Sequence, residues 1–389
     1  MSKMKRRCAV ISTIIIVSLL AGCSAGGIFD SYSAIEDLQL VRTMAVDAAG
    51  PGRAAVTVSS GRGGEAGEPL VLGREGEGLL AAIESLRDFT PRGDLFFAHT
   101  QSIVLGEAYA AQGIGDLLDF AERDVQLRLG TDLFVLRGAE AGEFVAGTEF
   151  DAGDVLDSVR RVLRERADSS VGNLRQTAVE LSEYGAALVC ALAPAEAEGS
   201  IFPDDGALTA VPAGYAVLRG GALAGYLSGG EAEAASLLTG RAVRFRRTVD
   251  APGGGRVELL CEPEGLHLSV RWAEDGTPPL LTISVALSAV VAELDGAEGN
   301  ITDPEALARF GAEAAERVQA DIAALLARSQ AMDADFLALG RTLRLDSGTR
   351  FAALGSGWLP ALRWSVEVSC AVTHSYDMNN PVGTEGGGV

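Results

Sequence analysis

The chain has 389 residues, with 32 Lys+Arg against 53 Asp+Glu and a formal net charge of −21. So acidic a balance excludes a general nucleic-acid binder, which needs a basic footprint to displace counterions from phosphate. With 48% hydrophobic and 22% charged residues, the composition is that of a folded protein of two or three domains.

Lys3 and Lys5 are the only lysines, so the body of the chain has none for a Walker A loop, a Schiff base or pyridoxal phosphate. With Arg6 and Arg7 they make a basic opening, and residues 8–20 form an apolar stretch too short to span a bilayer comfortably. That stretch ends in Leu20-Ala21-Gly22-Cys23, a lipobox. Residues 1–22 are therefore expected to be a lipoprotein signal peptide cut between Gly22 and Cys23, with the Cys23 thiol carrying a diacylglyceryl group and residues 23–37 serving as a tether. Two or three acyl chains, at about 0.8 kcal/mol per buried methylene, would hold such a protein on the outer leaflet.

From residue 38 to 60 the pattern is strand, turn, strand, with the break at Gly50-Pro51-Gly52. A glycine-rich stretch, a short strand at 70–72 and a helix over 77–87 follow, the helix marked by Leu79, Leu80, Ile83 and Leu86. Residues 95–105 read as a strand or strand pair around His99-Thr100-Gln101. Helices are predicted near 115–122, 139–146, 154–166 and 174–184, with a buried-strand run at 133–136 and another strand closing on Cys190.

Strands interleaved with helices define a mixed class. The composition breaks at residues 194–199, which places a domain boundary between 38–194 and 200–376. Beyond it short strands are predicted at 214–218, 223–227, 242–248, 256–261, 266–272 and 280–291, divided by turn signals and forming an antiparallel sheet. One long helix over 304–328 begins at the capping sequence Thr302-Asp303-Pro304-Glu305, and a final strand follows near 362–372. Residues 377–389 read as a disordered tail. The fold class is thus α+β (mixed α/β), a sheet-and-helix region followed by an antiparallel sheet packed on a long helix.

Catalytic equipment is sparse. The three histidines, His99, His267 and His374, include no i, i+4 pair, and HExxH, GxSxG and a full GxGxxG are missing. No catalytic, metal or cofactor site is expected. His99, between Phe97 and Gln101, reads as a structural histidine before a ligand. Cys190, Cys261 and Cys370 fit no zinc or CxxC spacing and read as core residues before disulfide partners. Two arginine clusters, Arg160, Arg161, Arg164 and Arg166, and Arg241, Arg244, Arg246 and Arg247, could meet anionic headgroups or an acidic partner, but salt-bridged faces are the favoured reading.

The order of several segments carries a resemblance. The lipobox is followed by Ile35-Glu36-Asp37-Leu38 and Arg42-Thr43-Met44-Ala45-Val46-Asp47; then come His99-Thr100-Gln101 running through an apolar segment to Gly106-Glu107, and, late in the chain, Asp335-Phe336-Leu337-Ala338-Leu339-Gly340-Arg341. This ordered set resembles the Ger(x)C family, the lipoprotein C subunits of nutrient germinant receptors in spore-forming bacteria. The resemblance implies a multidomain mixed α/β protein on the outer face of the spore inner membrane, assembled with a polytopic A-type subunit and a transporter-like B-type subunit. It implies a non-catalytic role in releasing spores from dormancy. Two rivals make different demands: a solute-binding lipoprotein of an ABC importer needs two doubly wound lobes around a ligand cleft, and a lipid-anchored hydrolase needs a nucleophile or metal site.

Overall fold

The computed structural model describes residues 38–60, 70–90, 94–147, 151–164, 169–195, 209–242, 244–251, 254–274, 277–295 and 303–373. The signal peptide, Gly22, Cys23, the tether, Arg166, His374 and the tail 377–389 lie outside them. By internal contacts the chain divides into residues 1–39 with 91–94, and residues 40–90 with 95–389. Of the first unit only Leu38, Gln39 and Asp94 are described, each as a strand residue.

After β1 (Leu38–Leu40), β2 (Thr43–Ala48) and β3 (Ala54–Ser59) make the expected hairpin, in register from Thr43↔Ser59 to Ala48↔Ala54. Gly50 and Gly52 turn it at φ 115° and 69°, values that a Cβ disfavours. β4 (Val71–Gly76) adds outside β3, and α1 (Leu79–Asp88) packs back over the sheet. Along α1 the buried residues are Leu79, Ala82, Ile83 and Leu86, an i, i+3, i+4, i+7 stripe. Leu80 lies off that stripe and is 55% exposed, although spacing alone groups it with them.

Of the strand or strand pair predicted at 95–105 the structure has the pair, β5 (Asp94–Phe96) and β6 (Ser102–Gly106), separated by a single 3-10 turn at Phe97–His99. Then come α2 (Glu107–Gln112), α3 (Gly115–Arg123), β7 (Asp132–Leu136), α4 (Ala141–Gly147), α5 (Ala152–Leu163), the short β8 (Gly172–Asn173), α6 (Leu174–Tyr184) and β9 (Ala186–Ala195). Asp151 and Asn173 cap α5 and α6, their side chains accepting from the backbone N–H of Gly153 and Gln176.

The sheet does not stop at the composition break. β10 (Thr209–Arg219), on its far side, pairs antiparallel with β9 from Thr209↔Ala195 to Arg219↔Ala186, and β11 (Ala222–Leu227) adds beyond it. The strand order is β11-β10-β9-β7-β6-β2-β3-β4, with β8 beside β7. Its centre, β2, β6, β7 and β9, is parallel and buried on both faces, which is why 103–105, 133–136 and 186–192 read as continuous apolar runs. α1, α2, α3 and α6 cover one face, and α4 and α5 the other.

α7 (Gly230–Leu238), β12 (Phe245–Asp250), β13 (Arg256–Arg271), β14 (Leu280–Asp295), α8 (Pro304–Met332), α9 (Leu339–Asp346), α10 (Gly348–Leu354), α11 (Trp358–Ala361) and β15 (Arg363–Thr373) follow. The second sheet has the order β12-β13-β14-β15. The two strands predicted at 256–261 and 266–272 are one, β13, whose register shifts between Pro263 and Gly265. The sheet is antiparallel except at its last pair: β15 runs parallel to β14, because the chain crosses back over the sheet through α8 to α11 before entering it.

α8 lays Phe310, Ala314, Val318, Ile322 and Leu325 on this sheet. Gly311 crosses so close to β15 that a Cβ there would collide with the Cys370 carbonyl. One apolar core joins Ala186, Leu188, Tyr215 and Val217 of the first sheet to α7, α8 and the inner face of the second. Among the described residues the second half is thus a helix-backed sheet, whereas an importer's binding protein would need a second doubly wound lobe there.

Candidate functional site

The segments singled out in the sequence meet as polar latches. Asp47 is the penultimate residue of β2 and is 6% exposed. The Ala141 N–H donates to its Oδ1 at 2.8 Å and the Gly142 N–H to its Oδ2 at 2.7 Å, so one carboxylate pins the start of α4 to the carboxyl end of β2. Gly106, closing β6 alongside, leaves the room: a Cβ there would collide with Asp47 Oδ1. Next to it, the Gly138 N–H donates to Glu107 at 3.2 Å. A hydrogen bond to Asp47, with burial and the nearby Asp47 and Glu143 charges, holds Glu140 above the ordinary carboxylate range.

At the opposite, amino ends of the strands, Arg42 spreads its guanidinium over α5. Nη1 reaches Asp151 and Asp154, both at 2.7 Å, and Nη2 reaches Asp157 at 2.8 Å. The Asp151 side chain is fully buried and also accepts from Ser59 Oγ at 3.0 Å. Arg160 pairs with Asp132 at 2.6 Å and touches Asp157 and Ser102. Sequence reading missed these partners of Arg42, yet the signal was present: Asp151, Asp154 and Asp157 recur every three residues and so share one helical face.

A third latch is at Asp335, between α8 and α9. The Leu339 N–H donates to its Oδ1 at 2.7 Å and the Gly340 N–H to its Oδ2 at 2.8 Å, which caps α9. Burial pushes this carboxyl up to about 7, against those two hydrogen bonds and the charge of Arg344. Gly340 is held close here; a Cβ would sit 2.9 Å from Trp358 and 3.0 Å from Asp335 Oδ2.

The other flagged residues do not converge. His99 is exposed, its ring tilted beside Phe96 with centroids 6.1 Å apart, and His267 is exposed on β13. Cys190 and Cys261 are buried and Cys370 half-buried, and none of the three is in a disulfide among the described residues. The Cys370 thiol and burial together push the Cys261 thiol up.

Of the first arginine cluster Arg160 is ion-paired and Arg161 donates to Ser158 at 2.9 Å, whereas the second is ion-paired throughout: Arg241 meets Glu180 at 2.5 Å, Arg244 Glu262 at 3.3 Å, Arg246 Glu258 at 3.3 Å, and Arg247 both Glu233 at 2.9 Å and Asp321 at 2.6 Å. Among the described residues no group of three or more His, Cys, Asp or Glu is placed to hold a metal ion, and no helix is long and apolar enough to cross a membrane.

Two helix-covered sheets sharing a core, pinned by buried carboxylates near the end of β2, at the start of α5 and just after α8, define a mixed α+β protein. Residues 31–188 match the family described as spore germination protein N-terminal domain, and residues 213–376 match the family described as spore germination B3/GerAC like, C-terminal. The chain belongs to the Ger(x)C family of spore germination proteins, the family of germinant-receptor C subunits, and its role lies in spore germination. No curated protein matches it. Among solved structures it is similar to the crystal structure of the GerBC protein, with a TM-score of 0.52 and 16% sequence identity over 87% of this chain and 99% of that one, a likeness of fold.

Proposed function

We propose that this chain is the lipid-anchored C subunit of a nutrient germinant receptor, acting without catalysis beside polytopic A-type and B-type subunits on the outer face of the spore inner membrane. The observation that carries the reading is the ordered match of both germination families over residues 31–188 and 213–376. The basic, apolar and lipobox segments of residues 3–23 support the anchor. In this reading the chain is cut before Cys23, which carries the lipid, residues 23–37 are the tether, and 38–194 and 200–376 are the two receptor-subunit domains, held to each other through β9 and β10.

The test is immunoprecipitation of the tagged chain from detergent-solubilised spore inner membranes. Both polytopic subunits should be recovered with it; an ATPase and a permease in their place would move the assignment to an importer. Mass spectrometry of the native protein should find an acylated Cys23 at its amino terminus. Cys23→Ala should abolish the modification and the nutrient response together.

A further inference from the structure

None of the latches uses the groove between α1 and α3. It encloses about 450 Å³, within the range of sites that seat a ligand or a few side chains. Leu79 and Phe120 form its floor, at 2% and 9% exposure, and Leu80 stands open beside them. Leu80 is unpartnered for a geometric reason: the sheet claims the Leu79–Ala82–Ile83–Leu86 face of α1, and Leu80 projects to one side of it.

Carboxylates rim this apolar floor. Of those that line it, Asp119 is paired with Arg123 at 2.7 Å and Asp124 with Arg87 at 3.1 Å. Glu77, ahead of α1, and Asp116, in the first turn of α3, form no ion pair among the described residues. The rim therefore carries negative charge without an ion-pair partner on both sides, from the segment leading into α1 and from the first turn of α3, around an open leucine. That combination matches a helix with aliphatic residues on one face and Lys or Arg flanking them: the aliphatic side chains enter the groove and the cations meet Glu77 and Asp116.

We propose that the α1–α3 groove docks a cationic amphipathic helix of a partner protein. This rests on the receptor reading, which supplies the partner chains, but its test uses none of them, so the two fail separately. The probe is a labelled 14-residue synthetic helix with leucine on one face and lysine on the other, titrated with the full-length chain and followed by fluorescence anisotropy.

Saturable binding is expected. Leu80→Ser and Asp116→Lys should each weaken it about tenfold or more, a loss of about 1.4 kcal/mol. Glu183→Lys, an exposed reversal on α6, should leave it unchanged, and the same peptide with glutamate for lysine should not bind. Equal binding to the parent chain and to both groove variants would overturn the proposal, because it would mean undirected attraction to an acidic protein; so would the lack of saturable binding. Should a variant fail to fold, hydrogen exchange on the parent chain decides: peptide-induced protection in α1 and α3 supports the site, and protection elsewhere overturns it.

Discussion

Asp47 and Gly106 compete for one small volume, and the chain resolves the competition by omitting a side chain. Gly106 has φ −67°, which alanine adopts freely, so any penalty of Gly106→Ala is steric. Urea titration should show a loss of about 1–3 kcal/mol. Asp47→Ala strands two backbone N–H groups and should lose a similar amount, about 1–3 kcal/mol. The double variant should lose less than the sum, since the two atoms that crowd the new methyl, Asp47 Oδ1 and Cγ, go with the carboxylate, and the Asp47 Cα at 3.7 Å is an ordinary contact.

Asp335 makes a different statement, one about pH. Its carboxyl is pushed up to about 7 in the folded chain, against about 3.9 unfolded. Between those values the folded state binds the extra proton, so stability should fall as pH rises from about 4 to 7, by at most about 1.4 kcal/mol per unit. Urea midpoints across that interval measure the slope, and Asp335→Asn should flatten it. Asp47, Gly106 and Asp335 were all visible in the sequence as members of a resemblance. What each touches was not, because Asp47 meets Gly106 and Ala141 only once β2 and β6 are neighbours.

At the level of the helix and strand, α5 hangs on a guanidinium from another element. Arg42→Ala would leave the fully buried Asp151 carboxylate beside Ser59 without its cation, and a loss of about 3 kcal/mol is expected by chemical denaturation. The exposed pair Arg53–Glu75, at 3.2 Å, supplies the contrast: Arg53→Ala should shift stability by less than about 1 kcal/mol. In α8, Gly311→Ala sets two effects against each other. Alanine in a helix interior gains about 1 kcal/mol over glycine, but the Cβ would strike the Cys370 carbonyl. Packing should win, and thermal unfolding should show a net loss.

Long elements were legible because their stripes were: α8, α1, the β2–β3 hairpin and the central buried strands lie close to where spacing put them. α7 escaped notice because its buried residues, Ala232, Ala234, Ala235, Ser236 and Leu237, run almost without a break, and its two charges, Glu231 and Glu233, stand two apart, off the helical spacing. The direction of β15 escaped because a strand's own pattern does not say whether its neighbour runs with it or against it.

Across the whole molecule, β9 and β10 bind the two halves, and the core beneath them draws on both sheets. Residues 38–195 produced alone would present β9 as a bare, apolar edge. Size-exclusion chromatography should find that fragment aggregated, and co-production with residues 209–373 should restore a soluble complex. A soluble, monomeric amino-terminal fragment would contradict this interdependence. The arrangement was hidden in the sequence by a composition break that coincides with a strand-to-strand connection.

The antiparallel partnership of β9 with β10 also constrains how such proteins can be recombined. The two germination-family matches leave a gap between residues 188 and 213, and a hybrid joined in it after β9 would ask β10 and β11 from one parent to zip onto a foreign β9. Moving the crossover past Leu227 keeps those strands with the parent whose sheet they complete, so functional hybrids between relatives should cluster at that later junction.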